Sequence, residues 1–316
     1  MTRAFIFPGQ GSQLVGMGQE LAESFAEARE VFQEVDESLG QKLSELMFKG
    51  DPEELNLTAN TQPALMAVSV AVMRVLEKQG GIDLASYCEY VAGHSLGEYS
   101  ALTAAGAFDL SDAAKLLKLR GEAMQRAVPV GIGSMAAILG LSFEEVDAIA
   151  QDASQNGEDC DAANDNSVGQ VVVSGHKGAV LRAIDLATEQ GAKRAVALPV
   201  SAPFHSKLMA PAAVEMAEAL GAATINAPIV PVVTNVTANA VSEPDTIRKL
   251  LVDQVTGMVR WRESVLWMSE HGVNEMVELG AGKVLCGLVR RIDKEIKTSA
   301  AGTPSEIEAL ISALKG

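Results

Sequence analysis

The feature that most restricts the fold is a short strand pattern that ends in a serine between two glycines and continues into a helical pattern. Residues 90–92 form the apolar run, residues 93–97 are Gly-His-Ser-Leu-Gly, and the helical pattern covers residues 96–105. A G-x-S-x-G turn between a strand and a helix is typical of a nucleophile elbow, which lifts the serine hydroxyl above a parallel sheet. The sequence therefore predicts Ser95 as a nucleophile, with a glycine-rich turn of no catalytic function as the alternative.

The pattern of the remaining chain predicts an α/β fold with an insertion. Short apolar runs alternate with helical patterns in the first part, which is typical of a mostly parallel sheet covered by helices. Residues 131–200 follow the order strand, helix, two strands, helix, strand, which is that of a ferredoxin-like unit. Alternation then returns, with buried strands predicted at residues 229–234 and 275–278. We therefore predict a core of residues 1–130 and 201–316 and an inserted small subdomain.

Composition and charge argue against several classes of function. A net charge of −16 and a pI near 4.7 repel the phosphates of nucleic acids. The three cysteines are scattered without CxxC spacing, which argues against a disulfide framework and a zinc site. No apolar stretch approaches the roughly 20 residues of a membrane-spanning helix, and the first residues lack a signal-peptide pattern. We therefore expect a cytoplasmic protein with no metal, cofactor, membrane segment or nucleic acid partner.

A nucleophilic serine needs a base, which is most often a histidine, and the chain has four. His94 adjoins Ser95, and side chains of neighbouring residues on an extended segment point to opposite faces, so we expect His94 behind the elbow. His176 and His271 are predicted at an exposed turn and a helix end. The candidate base is His205, in the loop that returns to the core, although a core histidine bonded to backbone is the alternative. The residues suggest no acid to orient it.

One buried cation is predicted. Arg120 and Met124 both fall on the apolar stripe of the helix predicted at residues 111–127. A buried charge without a partner costs roughly 3–5 kcal/mol, so the guanidinium requires an anion. Two partners remain open, an internal carboxylate such as Glu98 or the carboxylate of a substrate, whose planar shape suits arginine.

Six motifs resemble those of the malonyl-CoA:acyl carrier protein transacylase family, in the same order along the chain. They are FPGQGSQ at residues 7–13, TQPAL at 61–65, GHSLGEY at 93–99, LRG at 119–121, PFHS at 203–206 and VELG at 277–280. The resemblance covers essentially the whole chain. It implies a hydrolase-like α/β core with a ferredoxin-like subdomain, and transfer of a malonyl group from coenzyme A to acyl carrier protein for fatty acid biosynthesis.

The resemblance also implies a role for individual residues. Ser95 would carry the acyl group, His205 would be its base, Arg120 would bind the malonyl carboxylate, and the backbone N–H groups of Gln10 and Leu96 would form the oxyanion hole. The acid of a catalytic triad is replaced in this family by a main-chain carbonyl.

By position, that carbonyl is the one of Gln254. Asn166 resembles the family's polar residue that faces the cleft from the small subdomain. Phe204 fits the pattern associated with malonyl rather than methylmalonyl groups, and we place Met124 with these substrate-binding residues. The implied partners are a coenzyme A thioester and the carrier protein, which, if acidic, would need a local basic patch on this acidic chain.

Two other functions remain open. A serine hydrolase or thioesterase would use the same elbow with water as the acceptor, but it would have an acid between Ser95 and His205 in chain order and no need for Arg120. A non-catalytic acyl-CoA-binding module is the second alternative.

Overall fold

The computed structural model describes residues 2–200 and 202–316. Its strands are β1 (Arg3–Phe7), β2 (Tyr90–Gly93), β3 (Gly133–Leu139), β4 (Cys160–Ser167), β5 (Gln170–His176), β6 (Arg194–Ala197), β7 (Val232–Val233), β8 (Ala240–Val241), β9 (Glu275–Leu279) and β10 (Lys297–Ala301). Its α-helices are α1 (Gln19–Ser24), α2 (Ala26–Leu39), α3 (Leu43–Lys49), α4 (Pro52–Leu55), α5 (Thr58–Lys78), α6 (Leu84–Tyr87), α7 (Gly97–Ala104), α8 (Leu110–Ala127), α9 (Phe143–Ala153), α10 (Lys177–Glu189), α11 (Ala210–Ala222), α12 (Pro244–Thr256), α13 (Trp261–Glu270), α14 (Val284–Ile292) and α15 (Pro304–Lys315). None of the helices in this part of the chain is both long and apolar enough to span a bilayer.

The larger sheet has the strand order β10-β9-β1-β2-β7-β8. All its neighbouring strands run parallel except β7 and β8, which pair antiparallel. Helices cover both faces, because Phe5 and Phe7 of β1 belong to one hydrophobic cluster while Ala4 and Ile6 belong to another on the opposite side. The strand that precedes Ser95, β2, lies between β1 and β7 near the middle of this sheet. The predicted α/β class with a mostly parallel sheet is confirmed.

The smaller sheet is antiparallel, with the order β4-β5-β3-β6. Its strands and the helices α9 and α10 follow the predicted ferredoxin-like succession, and these two helices share a separate hydrophobic cluster with the sheet. All of these elements fall between residues 133 and 197. The boundaries at residues 130 and 200 stay a prediction.

Backbone and side-chain contacts join β4 of the smaller sheet to α13 and the residues before it. The N–H of Asp165 in β4 donates to the carbonyl of Val259 over 3.0 Å, and the N–H of Val259 donates to the carbonyl of Ala163 over 2.9 Å. The guanidinium of Arg262 also holds the buried carboxylate of Asp165, with a closest N···O distance of 2.8 Å. These contacts bring the neighbouring Asn166 towards the carboxyl end of β2.

One predicted strand is much shorter than expected. The pattern predicted residues 229–234, but only Val232–Val233 pair with β2, and the side chain of Ile229 is exposed. Pro228 precedes this segment and Pro231 lies within it, and proline has no N–H to donate to a sheet. Ile229 is instead held by a hydrogen bond from its N–H to the carbonyl of Ala105.

Candidate active site

The turn between β2 and α7 has the geometry of a nucleophile elbow. Ser95 has a φ of 53°, in the left-handed region that non-glycine residues seldom adopt. A Cβ atom on Gly93 would clash with the backbone of Gly97, and one on Gly97 would clash with the carbonyl of Phe7. Both positions therefore require glycine, and the sharp turn places the Ser95 side chain at the carboxyl end of the sheet.

The Ser95 hydroxyl contacts a histidine from a distant loop. Its Oγ lies 2.8 Å from Nε2 of His205. The other ring nitrogen of His205, Nδ1, lies 2.9 Å from the carbonyl oxygen of Gln254 and 3.1 Å from that of Gly257. Carbonyl oxygens can only accept, so Nδ1 carries the proton and Nε2 is free to accept the serine proton. Two backbone carbonyls thus stand where a triad would have an acid.

The imidazole of His205 is held in its neutral form. Burial and, after it, the nearby charge of Arg120 lower the pKa of His205 from its ordinary value of 6.5 to about 3. A ring with this pKa is ready to take a proton from Ser95 throughout the neutral range.

This pKa gives a testable pH dependence. The neutral form of a base predominates above its pKa, so we expect kcat/KM for acyl transfer to stay nearly level as the pH falls from about 8 to about 5. The measurement is the pH profile of kcat/KM with malonyl-CoA as the acyl donor. An acid limb centred near pH 6.5, the ordinary histidine value, would contradict this assignment.

Two backbone N–H groups are free to stabilise an oxyanion. Within the described residues, neither the N–H of Gln10 nor that of Leu96 donates a hydrogen bond, and both residues line the cavity above Ser95. Leu96 also precedes the first turn of α7, whose positive dipole end favours negative charge. These are the two donors that the sequence resemblance implied.

The guanidinium of Arg120 lies beside the nucleophile and is almost fully buried. One terminal nitrogen donates to Oε1 of Gln62 over 2.8 Å. The other donates to Oε1 of Gln254 over 2.9 Å and to Oγ of Ser95 over 3.2 Å. Nε has no partner among the described residues, and the ring of Tyr99 lies 5.7 Å from the guanidinium carbon.

The partners of Arg120 argue against one of the two alternatives that the sequence left open. Across residues 2–200 and 202–316, no carboxylate lies within the 4.0 Å of a salt bridge to Arg120, so the direct internal pair with Glu98 is wrong. Glu98 is reached only through the amide of Gln254, whose Nε2 donates to Oε2 of Glu98 over 2.9 Å. Neutral carboxamides orient the cation without neutralising it, which leaves its charge available to a carboxylate in the cavity.

The cavity over Ser95 has a volume of about 160 Å³. Eight of the predicted site residues line it, namely Gln10, Ser95, Leu96, Arg120, Met124, Asn166, Phe204 and His205. The remaining lining residues are Gln62, His94, Met135, Asn164, Val172, Leu198 and Val200. Gln254, the ninth predicted residue, lies behind this surface and contacts both His205 and Arg120.

The predicted position of His94 behind the elbow was wrong, although the Ser95 hydroxyl contacts His205 and not His94, as expected; the exposure predicted for His176 was also wrong. His94 lines the cavity, and its Nε2 lies 2.7 Å from Oδ1 of Asn166. The positive φ of Ser95 breaks the extended geometry on which opposite faces depend. His176 ends β5 as a half-buried residue rather than an exposed one, and His271 ends α13 against Trp267; both lie outside the cavity.

Three contributions to the site were not found in the sequence. Gln62 orients Arg120, and its signal was a buried polar residue inside the apolar pattern of α5. The side chain of Gln254 also orients Arg120, although only its carbonyl was expected. Asn235 contacts the elbow from the loop after β7, and no periodic pattern marks it.

Comparison with known proteins gives a consistent family. The acyl transferase domain family matches residues 4–305. The malonyl CoA-acyl carrier protein transacylase of Bacillus subtilis is 47% identical over 312 residues, which cover 99% of this chain and 97% of the relative. An acyl-carrier-protein-S-malonyltransferase structure from Bartonella henselae covers 100% of both chains, with 55% identity and a TM-score of 0.97.

A further solved structure contains a type II PKS acyl-carrier protein in complex with its malonyl-transacylase, and it matches 99% of this chain and 100% of its own, with 42% identity and a TM-score of 0.95. These similarities extend over nearly the whole chain. The chain therefore belongs to the acyl transferase domain family and, within it, to the malonyl CoA-acyl carrier protein transacylases.

Proposed function

We propose that this protein moves a malonyl group from malonyl-CoA to the phosphopantetheine thiol of acyl carrier protein through a malonyl ester of Ser95. The observation that carries the proposal is the contact of the Ser95 hydroxyl with two groups at once. It lies 2.8 Å from the neutral imidazole of His205 and 3.2 Å from a guanidinium nitrogen of Arg120. One cavity thus combines a nucleophile, its base and a cation for an acidic acyl group, and the names of the relatives agree with this reaction.

The first half-reaction acylates the serine. Nε2 of His205 takes the hydroxyl proton while Oγ of Ser95 attacks the thioester carbonyl carbon. The carbonyl oxygen becomes an oxyanion that accepts hydrogen bonds from the N–H groups of Gln10 and Leu96. The carbon–sulfur bond then breaks, and the coenzyme A thiolate receives the proton from His205. The products are free coenzyme A and the malonyl ester.

The second half-reaction reverses these steps with a different thiol. His205 takes the proton of the phosphopantetheine thiol, whose sulfur attacks the ester carbonyl carbon. The same two N–H groups hold the oxyanion, and the bond to Oγ breaks as His205 returns the proton to Ser95. No water is consumed, so one thioester replaces another.

The proposed role of Arg120 is to select acyl groups that carry a carboxylate. Its planar guanidinium can hold two oxygens of one carboxylate, and burial strengthens the interaction. An acetyl group offers no such oxygens and leaves the cation unpaired. Phe204 and Met124 add apolar lining to the same cavity and limit the size of the acyl group.

Hydrolase or thioesterase activity is not favoured by the site. Main-chain carbonyls, rather than an acid, orient His205, and a buried cation next to the nucleophile has no use for a neutral ester. A non-catalytic binding module would need neither the contact between Ser95 and His205 nor the free backbone N–H groups of Gln10 and Leu96.

Acyl carrier protein is the proposed second substrate. A structure similar over the whole chain contains a carrier protein with its transacylase. We expect the pathway to be fatty acid biosynthesis and the location to be the cytoplasm. We expect an acidic carrier to dock at a local basic patch, because the net charge of −16 would otherwise repel it.

The proposal is tested by the fate of the malonyl group. The enzyme is mixed with excess malonyl-CoA, and the release of free coenzyme A is followed with and without the phosphopantetheine-bearing carrier protein. We expect one rapid equivalent of coenzyme A without carrier and continuous release with it. Continuous release without carrier would indicate a hydrolase, and no release in either case would indicate a binding module.

A further inference from the structure

Two side chains outside the cavity hold the strained backbone of Ser95, Asn235 at its N–H and Gln254 at its carbonyl. A residue with φ near 53° keeps this conformation only where its surroundings hold it in place. The N–H of Ser95 donates to Oδ1 of Asn235 over 2.7 Å. Nδ2 of Asn235 donates to the carbonyl of Gly93, also over 2.7 Å. A single carboxamide therefore spans the elbow from the last residue of β2 to the nucleophile.

The carboxamide of Asn235 makes hydrogen bonds with the elbow in the place where a neighbouring strand would make them. Val233, two residues earlier, is the last residue of β7 that pairs with β2, opposite Ala92. Within the described residues, no backbone hydrogen bond joins the segment after Val233 to Gly93, His94 or Ser95. A primary amide carries a carbonyl acceptor and N–H donors in one plane, and here Oδ1 accepts while Nδ2 donates, as the two ends of a peptide group would, so the sheet hydrogen bonds continue past the end of the strand. Its orientation is fixed, because an N–H can only donate and a carbonyl can only accept.

Glu98 holds Asn235 from the other side. The backbone N–H of Asn235 donates to Oε2 of Glu98 over 2.9 Å. The same oxygen accepts from Nε2 of Gln254, which also donates to the carbonyl of Ser95 over 3.1 Å. Asn235 and Gln254 are fully buried and Glu98 almost so, so water does not compete for these hydrogen bonds. These hydrogen bonds join the loop after β7 to the first turn of α7, the helix that follows Ser95.

We propose that Asn235 is a positioning residue that holds the Ser95 nucleophile and the adjacent oxyanion donor in their reactive geometry. Fixing the N–H of Ser95 fixes the rotation about its φ angle. That rotation aims Oγ at His205 and sets the peptide that carries the Leu96 N–H. Asn235 does not line the cavity, so it acts on the acylation step and not on recognition of the acyl group.

The first test compares Asn235→Ala with the matched control Asn239→Ala, whose exposed side chain donates a hydrogen bond to the carbonyl of Thr237 in the same turn. A displacement of about 1 Å in a reacting group costs on the order of 10²-fold in rate. We therefore expect Asn235→Ala to acylate about 10- to 100-fold more slowly in single turnover, with the dissociation constant of malonyl-CoA within about 2-fold of wild type. The control should match wild type in both quantities. A folded Asn235→Ala protein that acylates at the wild-type rate would overturn the proposal.

A second measurement tests the reactivity of Ser95 without using malonyl-CoA. This inference rests on the proposed function, but the reaction of Ser95 with phenylmethanesulfonyl fluoride reports nucleophile reactivity alone. We expect Asn235→Ala to slow this reaction by a factor similar to that for acylation. If wild type forms no malonyl ester yet its sulfonylation depends on Asn235, the proposed function fails and the positioning role stands. If acylation slows but sulfonylation does not, the positioning role is wrong.

Asn235→Asp supplies the test if the alanine variant does not fold. A carboxylate can accept from Ser95 but repels the carbonyl of Gly93, whereas a protonated carboxyl restores one acceptor and one donor. The hydrogen bonds connect this position to Glu98 directly and to Arg120 and His205 through Gln254 and Ser95. We expect the acylation rate per folded Asn235→Asp molecule to rise as the pH is lowered. A rate that stays level as the pH is lowered, as we expect for wild type, would contradict the proposal. A rate that decreases as the pH is lowered would also contradict it.

Discussion

Replacement of Arg120 by alanine is expected to lower kcat/KM for malonyl-CoA by about 10²–10³-fold, the equivalent of about 3–4 kcal/mol. The guanidinium is almost fully buried, and among the residues that the structure describes only carboxamides and the Ser95 hydroxyl form hydrogen bonds with it. A malonyl carboxylate that enters the cavity of the variant therefore loses both its water and its only cationic partner. The measurement is the initial rate of transfer to the carrier protein at low donor concentration.

The same variant should lose selectivity. Acetyl-CoA has no carboxylate, so its kcat/KM should change much less, and the preference for malonyl-CoA should fall by nearly the full factor. The matched control is Arg126→Ala, on the same helix, whose exposed guanidinium pairs with Glu122 and Glu215. It should behave as wild type. An Arg120→Ala enzyme that still discriminates between malonyl-CoA and acetyl-CoA as wild type does would show that the cation does not bind the acyl carboxylate.

The His205→Ala enzyme is expected to acylate about 10²–10⁴-fold more slowly, because the Ser95 hydroxyl loses the base that accepts its proton. The affinity for malonyl-CoA should change little, since Arg120 and the oxyanion donors remain. Single-turnover measurements of ester formation separate these two quantities. The residual rate should rise with pH as hydroxide replaces the missing base.

A second histidine provides the control for this experiment. His271 stacks on Trp267 at the end of α13, with ring centroids 3.7 Å apart, and lies outside the cavity. His271→Ala should therefore acylate at the wild-type rate. A His205→Ala enzyme that forms the ester within a few-fold of wild type would mean that another group, with His94 the nearest imidazole on the cavity wall, accepts the proton.

Strong local patterns predicted most of the fold. The helix expected at residues 111–127 is Leu110–Ala127, and the strand expected at 275–278 is Glu275–Leu279. The helix has apolar residues at spacings of three and four, whereas the strand is buried on both faces and was expected from its short apolar stretch. The strand expected at residues 229–234 has only two residues, Val232 and Val233. Its apolar composition predicted a strand, but proline has no N–H to donate to a sheet, and composition alone does not show this loss.

The site was predictable where chemistry and a motif coincide. Ser95 and Arg120 each stand out locally, one by its turn and the other as a charge on an apolar stripe. The position of His94 was not predictable, because alternation of faces fails where the chain enters a left-handed conformation. Asn235 was not found because its contacts join residues about 140 positions apart, and an asparagine in a loop has no local sign of such a partner.

The central claim is that malonyl groups pass through an ester of Ser95, and intact-mass spectrometry tests it most directly. The protein is weighed after mixing with malonyl-CoA and again after adding the phosphopantetheine-bearing carrier protein, with Ser95→Ala as the control. We predict that one malonyl group appears on the wild-type chain, is absent from the variant and moves to the carrier. A wild-type chain that gains no mass, or a Ser95→Ala chain that gains the same mass, would contradict the account.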